Sequence, residues 1–326
     1  MNVRIFTVAL VLLSALVIWN YNSPERKALY EVQVQPKKEL KNPRVAKSRL
    51  SAKVDLSEDT FPEQVSENIH RITNPHGDFV ERTKDILALR KLKVSKADED
   101  ALLHHILTPH RDEVYTVKND IIEHLVRYGS DQNKVGVGLL KIIQNESQSQ
   151  VMREYVLQYV PEYYLSRWKA GTDWSELDEE DRQQFNQTMW QATDWQEGSM
   201  AGGALFALHK LASMYHDINA DEVFEKSHKV LVDSSYANPN RMASVQILAF
   251  SGNEEYFDTA RDIVLKKDGP ILLQVTAVHT AVQSKQYHHQ FNKYLKDITN
   301  GRVECDPTLK RCVLLTLNKL NNLGSE

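Results

Sequence analysis

The chain has 326 residues, 41% of them hydrophobic, with 12 glycines and 10 prolines, enough to bury a large core with few turns, which points to a helix-rich protein. Its net charge of -4 conceals a division: residues 1–59 hold ten Lys/Arg against six Asp/Glu, and the remainder holds 30 against 38. The body is acidic, which argues against nucleic-acid binding, because neutralising phosphates requires a basic face.

The chain opens Met1-Asn2-Val3-Arg4 and then runs apolar from Ile5 to Trp19, interrupted by Thr7 and Ser14. A helix of this length spans roughly 22 Å, short of the roughly 30 Å hydrocarbon core, so length favours a secretory signal peptide. The cleavage pattern favours the opposite. Ala15 has Leu13 two residues before it, and Ser23 has Tyr21 before it and Pro24 after it, so small residues are not paired as cleavage requires. Residues 1–20 are therefore expected to be a signal anchor rather than a cleaved signal peptide. Residues 5–19 would hold a single-pass protein in the membrane, with its body extracytoplasmic, in a periplasm or lumen.

Residues 21–60 show no helical period and read as a basic flexible, disordered linker. Lys37, Lys38, Lys41, Arg44, Lys47, Arg49 and Lys53 face only Glu39 up to Val54. Such a run can contact anionic headgroups or wall polymer, at about 1 kcal/mol per basic residue, or it can be a solvated spacer.

From Phe61 the helical period begins, and residues 61–326 read as one all-α body. Candidate helices run over Phe79–Leu92, Ala97–Leu107, Val114–Tyr128, Val135–Asn145 and Val151–Arg167. Ser95 with Asp98, and Ser147 with Gln150, have capping-box spacing. A shift of 34 residues lays Val117, Ile121, Ile122, Leu125 and Val126 on Val151, Tyr155, Val156, Tyr159 and Val160, and their spacing is one face of a helix. Leu87 and Ala88 lie 34 before Ile121 and Ile122. In the later half Val245, Leu248 and Ala249 map onto Val278, Ala281 and Val282 at 33, and Phe257 maps onto Phe291 at 34. Asn238-Pro239 marks a helix start. A hairpin of this size cannot bury its apolar face alone, so the units are expected to stack into a right-handed α-solenoid of helical hairpins.

Gln150-Val151-Met152-Arg153-Glu154-Tyr155-Val156 and Asp268-Gly269-Pro270-Ile271-Leu272-Leu273-Gln274 resemble the second helices of HEAT-like, armadillo-type repeats, which commonly open with a polar turn and a Val-x-Arg-like pattern. The likeness covers about residues 80–170 and 200–298. It implies a curved α-solenoid that binds partners along a concave surface, and no catalytic residue. Tetratricopeptide repeats share the period, but their paired Trp, Gly, Tyr and Pro positions are not found.

The middle, residues 168–197, differs in composition. Trp168, Trp174, Trp190 and Trp195 fall together there, with Asp173, Glu176, Asp178, Glu179, Glu180 and Asp181 among them. Tryptophan is enriched at binding hot spots, so these four are the candidate binding residues, for a protein partner with a basic surface. The alternative is a non-repeat hairpin whose tryptophans plug the junction between two halves. Gly198 to Tyr215 follows, with Ala201, Gly202, Gly203, Ala204, Ala207 and Ala212, and reads as a tightly packed central helix.

His104, His105 and His110 cluster, and His288-His289 form a pair, but none has the spacing of a zinc protease. His216-Asp217 is similar to the paired His-Asp of HD-domain phosphohydrolases, which would imply an all-α metal-dependent hydrolase. Asn219 and Ala220 stand where that family often has Gly-Lys. Asn219 with Glu222 also has capping-box spacing. Cys305 and Cys312 are the only cysteines. Seven residues within one helix would hold them about 10 Å apart, whereas a fold-back before Pro307 could join them in a disulfide, implying an oxidising compartment. The alternative is two thiols.

Together these features indicate a membrane-tethered scaffold or assembly factor that binds other envelope proteins, with no cofactor and no metal, and a helical metal-dependent hydrolase as the alternative. If residues 1–20 stay attached, full-length protein will partition with membranes and resist an alkaline salt wash, while a chain beginning at Asp59 will be soluble. Amino-terminal sequencing that finds a mature start after residue 20 contradicts this.

Overall fold

The computed structural model describes residues 62–109, 115–130, 132–196, 198–249, 254–266, 269–283 and 288–323. The expected anchor, the linker and His110 lie outside them. Among the described residues the structure is helical with no strand. The helices are α1 (Pro62–Ile72), α2 (Phe79–Leu89), α3 (Lys96–Leu107), α4 (Tyr115–Tyr128), α5 (Gln132–Gln144), α6 (Gln150–Lys169) and α7 (Glu179–Ala192). They continue with α8 (Met200–Ala212), α9 (Ala220–Val232), α10 (Asn238–Leu248), α11 (Glu254–Leu265), α12 (Ile271–Gln283), α13 (His288–Thr299) and α14 (Pro307–Leu323), and a 3-10 turn at Trp174–Glu176 precedes α7. None of the described helices is long and apolar enough to cross a membrane.

Local capping chemistry sets the helix starts. Ser95 Oγ accepts the Asp98 amide at 3.2 Å, and Asn219 caps α9 through the Asp221 amide at 3.0 Å. Asp306 accepts the Thr308 amide at 2.7 Å ahead of Pro307. The expected cap at Ser147 is instead made by Ser149, whose Oγ accepts the Met152 amide at 3.2 Å. The reason is tertiary. Residues 145–148 close a turn, with the Gln148 amide on the Asn145 carbonyl at 3.0 Å, and the Gln148 side chain is drawn inward to the carbonyls of Ile106 (3.1 Å) and Leu107 (2.9 Å).

The helices pair in two rows. Each even-numbered helix packs on the next even one, from α2 through α14, and α1, α3, α5 and α7 pack in the same serial way. Each even helix also packs on the odd helix before it. A repeated side-chain device closes these hairpins. The last carbonyls of a helix have no partner within it and carry partial negative charge. In five hairpins the fourth residue of the even helix supplies the missing donor. Arg82 Nε donates to the Ile72 carbonyl at 2.8 Å, Lys118 Nζ to Thr108 at 2.7 Å, Arg153 Nε to Ile143 at 2.7 Å and Arg241 Nε to Leu231 at 2.9 Å. Gln274 Nε2 reaches the carbonyl of Lys266 at 2.6 Å.

These anchors fix the true register of the repeat. Lys118 and Arg153 are 35 residues apart, so Val117, Ile121, Ile122 and Leu125 correspond to Met152, Val156, Leu157 and Val160, all buried. The 34-residue alignment is one residue off: it places Val151 and Tyr155 in the core, where they are 44% and 36% exposed. From α2 to α4 the shift is 36, which matches buried Ile86 and Leu89 to Ile122 and Leu125 and leaves Leu87 outside at 47% exposure. In the later half the shift of 33 holds, since Arg241 and Gln274 are equivalent and Val245 and Val278 are both buried.

At α8 the device is replaced. Its fourth residue is Gly203, which has no side chain to reach back and where a Cβ would lie 3.3 Å from Leu157. The carbonyls after α7 are served by the next hairpin. Tyr236 Oη donates to the Thr193 carbonyl at 3.3 Å, and Asn240 Nδ2 donates to Gln196 at 3.0 Å. Asn240 Oδ1 accepts the Gly202 amide at 2.9 Å, capping α8 from outside, while Ser199 makes no side-chain cap. Gly202 permits this approach: a Cβ there would meet the Ala243 Cβ at 2.7 Å. The tight central helix expected from its small residues is therefore packed on α10 at one side and on Leu157 of α6 at the other. Asn240→Ala should destabilise by about 2 kcal/mol or more, by stranding a buried amide and a carbonyl. Gly202→Val should cost about 1–3 kcal/mol by overpacking, whereas Gln246→Ala, half-buried on the same α10, should stay within about 0.5 kcal/mol. Urea denaturation of the three variants measures the contrast.

Candidate binding surface

The structure disperses the four tryptophans. Trp174 is 2% exposed, because the Asp173–Glu176 capping box folds its 3-10 turn inward. Its ring lies 4.9 Å from Tyr215, 5.1 Å from Phe185 and 5.7 Å from Tyr164, and Tyr215 Oη closes the cluster on the Tyr164 carbonyl at 2.8 Å. Trp174 is thus a core plug that a partner cannot reach, which corrects its reading as a binding residue. Trp190 is partly buried against the same core. Trp195 lies under the Arg153 guanidinium, 4.4 Å from the ring centroid, and so shields the cation that caps α5. Only Trp168, at the end of α6, keeps a large exposed surface, at 41%. Beside it Asp173, Glu176, Asp178, Glu179 and Glu180 are exposed. The last two stand in the first turn of α7, where the helix dipole favours negative charge.

Sequence reasoning missed the surface the fold creates. Among the described residues twelve large hydrophobics are exposed. Eleven stand on even-numbered helices: Phe79, Val80, Leu87, Tyr115, Tyr128, Val151, Tyr155, Trp168, Leu272, Leu314 and Leu315. The exception is Val232 at the end of α9. A single-helix pattern could not reveal this bias, because it becomes visible only once even and odd helices form separate rows.

A charged belt crosses this surface between α2, α4 and α6. Glu123 is held by Arg90 at 3.4 Å and Arg127 at 3.0 Å. Burial, and then the neighbouring Glu123 carboxylate, raise the Asp120 carboxyl, while Arg90 pulls the other way. The Tyr159 phenol is raised mainly by burial and next by Glu123, and its hydrogen bond with Asn119 opposes them. Farther along, Lys210 of α8 binds Glu162 of α6 at 2.6 Å. Arg90 of the α2 C-cap thus neutralises Glu123 of α4, and Lys210 of α8 neutralises Glu162 of α6.

The remaining candidates separate as well. His216 and Asp217 are exposed in the turn between α8 and α9, and among the described residues no group of three or more His, Cys, Asp or Glu is placed to hold a metal ion. His105 is buried with its Nε2 3.3 Å from Arg82 Nη2, and His104 is exposed. Cys305 and Cys312 are separate thiols rather than the expected disulfide. Cys312 lies on α14 with its Sγ turned to Nε2 of His279 on α12, 3.5 Å away, while Cys305 precedes the helix. Burial raises both thiols.

No known family model matches the chain, and no curated protein is significantly similar to it.

Two histidines, His124 buried and His209 half-buried, give the fold a pH dependence. Burial depresses His124 and His209 to about 4, below the roughly 6.5 of an unfolded chain. The unfolded state therefore binds more protons between these values. The contribution is fully present above pH 6.5 and is lost as pH falls towards 4, about 2 kcal/mol per histidine between pH 7 and 5. Urea unfolding at the two pH values measures it, and His124→Gln should flatten the difference by about half.

Proposed function

We propose that this protein is a membrane-tethered, extracytoplasmic scaffold or assembly factor, a right-handed α-solenoid of HEAT-like hairpins that binds other proteins along its even-numbered helices. One observation carries the reading: almost all of the exposed large hydrophobic side chains among the described residues are gathered on one of the two rows. A monomer gains nothing from concentrating apolar surface on one side, and such surface marks interaction sites. The serial pairing of even helices supports the stacked-hairpin architecture. The resemblance of residues 150–156 and 268–274 to HEAT-type second helices supports it as well, since Arg153 and Gln274 perform equivalent caps. In this reading residues 5–19 hold the chain to the membrane and residues 21–60 give it reach. Trp168 and the exposed acids from Asp173 to Glu180 dock a partner with a basic surface.

The test is affinity capture from envelope extracts with the full chain as bait, followed by binding measurements with the purified partner. Tyr155→Ala and Trp168→Ala should each weaken binding at least tenfold, about 1.4 kcal/mol, with unchanged melting temperature. Val232→Ser on the odd row should leave it intact, and Trp174→Ala should lower the melting temperature by several degrees through loss of core. Equal effects of Tyr155→Ala and Val232→Ser would overturn the one-sided reading.

A further inference from the structure

One side of α2 carries exposed apolar side chains and is followed by two exposed lysines, Lys91 and Lys93, that have no carboxylate partner among the described residues. Helix α2 is the first even helix, packed on α1 and α4. Ile86, Leu89 and Arg82 face the core. The opposite side presents Val80, Lys84, Leu87 and Ala88, all exposed, at the i, i+4, i+7, i+8 spacing of one helical stripe, and exposed Lys91 follows in the turn after the helix. Beside it a depression of about 540 Å³ is lined by Asn68 of α1 and by Leu87, Ala88, Lys91 and Leu92.

The local acids are already engaged, one of them, Glu81, by Lys84 of the stripe itself. Asp85 binds Arg71 at 2.8 Å, Asp98 accepts from Ser95 at 2.6 Å, Asp100 binds Lys134 at 2.8 Å, and Glu123 takes Arg90 and Arg127. Glu81 pairs with Lys84 at 2.7 Å. Lys91 and Lys93 are exposed, and among the described residues neither has a carboxylate in ion-pair reach. The outcome is a basic, apolar stripe on a body that carries an excess of acids.

We infer that this side of α2 docks an amphipathic acidic helix of a partner protein, whose apolar side chains cover Val80, Leu87, Ala88 and Leu92 while its carboxylates meet Lys91 and Lys93 just beyond the end of α2. The charge selects an acidic occupant, because a basic one would meet uncompensated lysines. The shape selects a helix. The depression lined by Asn68, Leu87, Ala88, Lys91 and Leu92 lies alongside the ridge of exposed α2 side chains, so a helix laid on that ridge can place apolar side chains in it. The site is distinct from Trp168 and requires the opposite partner charge.

Binding of a labelled synthetic helix of about 18 residues, long enough to hold helical structure, tests this. Its leucines repeat at i, i+3, i+4 and i+7 and its remaining positions are rich in glutamate. Fluorescence anisotropy is read on the full chain in detergent. The expected result is saturable binding that weakens with salt, is lost for the same peptide with lysine in place of glutamate, and falls at least tenfold in Leu87→Glu and Lys91→Glu, with melting temperature unchanged. Trp168→Ala should leave this binding intact, which separates its failure from failure of the Trp168 reading. The inference is overturned if acidic and basic peptides bind alike or neither binds. It is also overturned if phosphatidylglycerol vesicles bind through these residues while the peptide does not, or if Leu87→Glu instead abolishes self-association in sedimentation.

Discussion

A helix leaves its last carbonyls unpaired, and in a chain of many short helices that deficit recurs at every turn. This protein meets it with the fourth residue of the following helix. Arg82, Lys118, Arg153, Arg241 and Gln274 each reach back to the carbonyls at the end of the preceding helix. One side chain therefore does two things: it satisfies an acceptor and fixes where the second helix of the hairpin starts relative to the end of the first. The apolar faces are then delivered to the core in register, Val117 and Ile121 in α4 as Met152 and Val156 in α6. Hydrophobic burial supplies the larger free energy, but it does not distinguish neighbouring registers as sharply as a short hydrogen bond to a particular carbonyl.

The departure at α8 follows from the same constraint. Glycine at the fourth position, Gly203, supplies no donor, and Gly202 packs on Ala243 with no room for a Cβ, so Asn240 and Tyr236 of the next hairpin take over. The inserted residues before α7 are stabilised in a different way, by the aromatic cluster of Tyr164, Trp174, Phe185 and Tyr215. The buried core also divides near here. Val230 and Ile247 belong to the larger cluster, and Leu231, Val245 and Leu248 to the C-terminal one.

The even-numbered row consequently has two roles. It carries the continuous packing from α2 to α14, and its outer side holds the exposed apolar residues and the belt centred on Glu123. Under the proposed scaffold reading, rigid helices presenting aromatic and aliphatic side chains at spaced positions would lose little conformational entropy on contact with another polypeptide.

The sequence by itself determined the all-helical class, the approximate bounds of the five helices between residues 79 and 169, and several caps, because 3.6-residue periodicity and capping-box spacing are local properties. Ser95 and Asn219 were legible for that reason. It did not determine the repeat register in the first half: apolar residues occur at both 34 and 35 residue shifts, and only the carbonyls reached by Lys118 and Arg153 select the second. Nor could it sort the tryptophans. Identical in chemistry and close in sequence, Trp174 and Trp168 end as core and surface because one opens an inward-folded 3-10 turn and the other stands at the open end of α6. The one-sided surface was also decided by tertiary structure alone, since exposure of Val80, Val151 and Leu272 depends on which helices become neighbours.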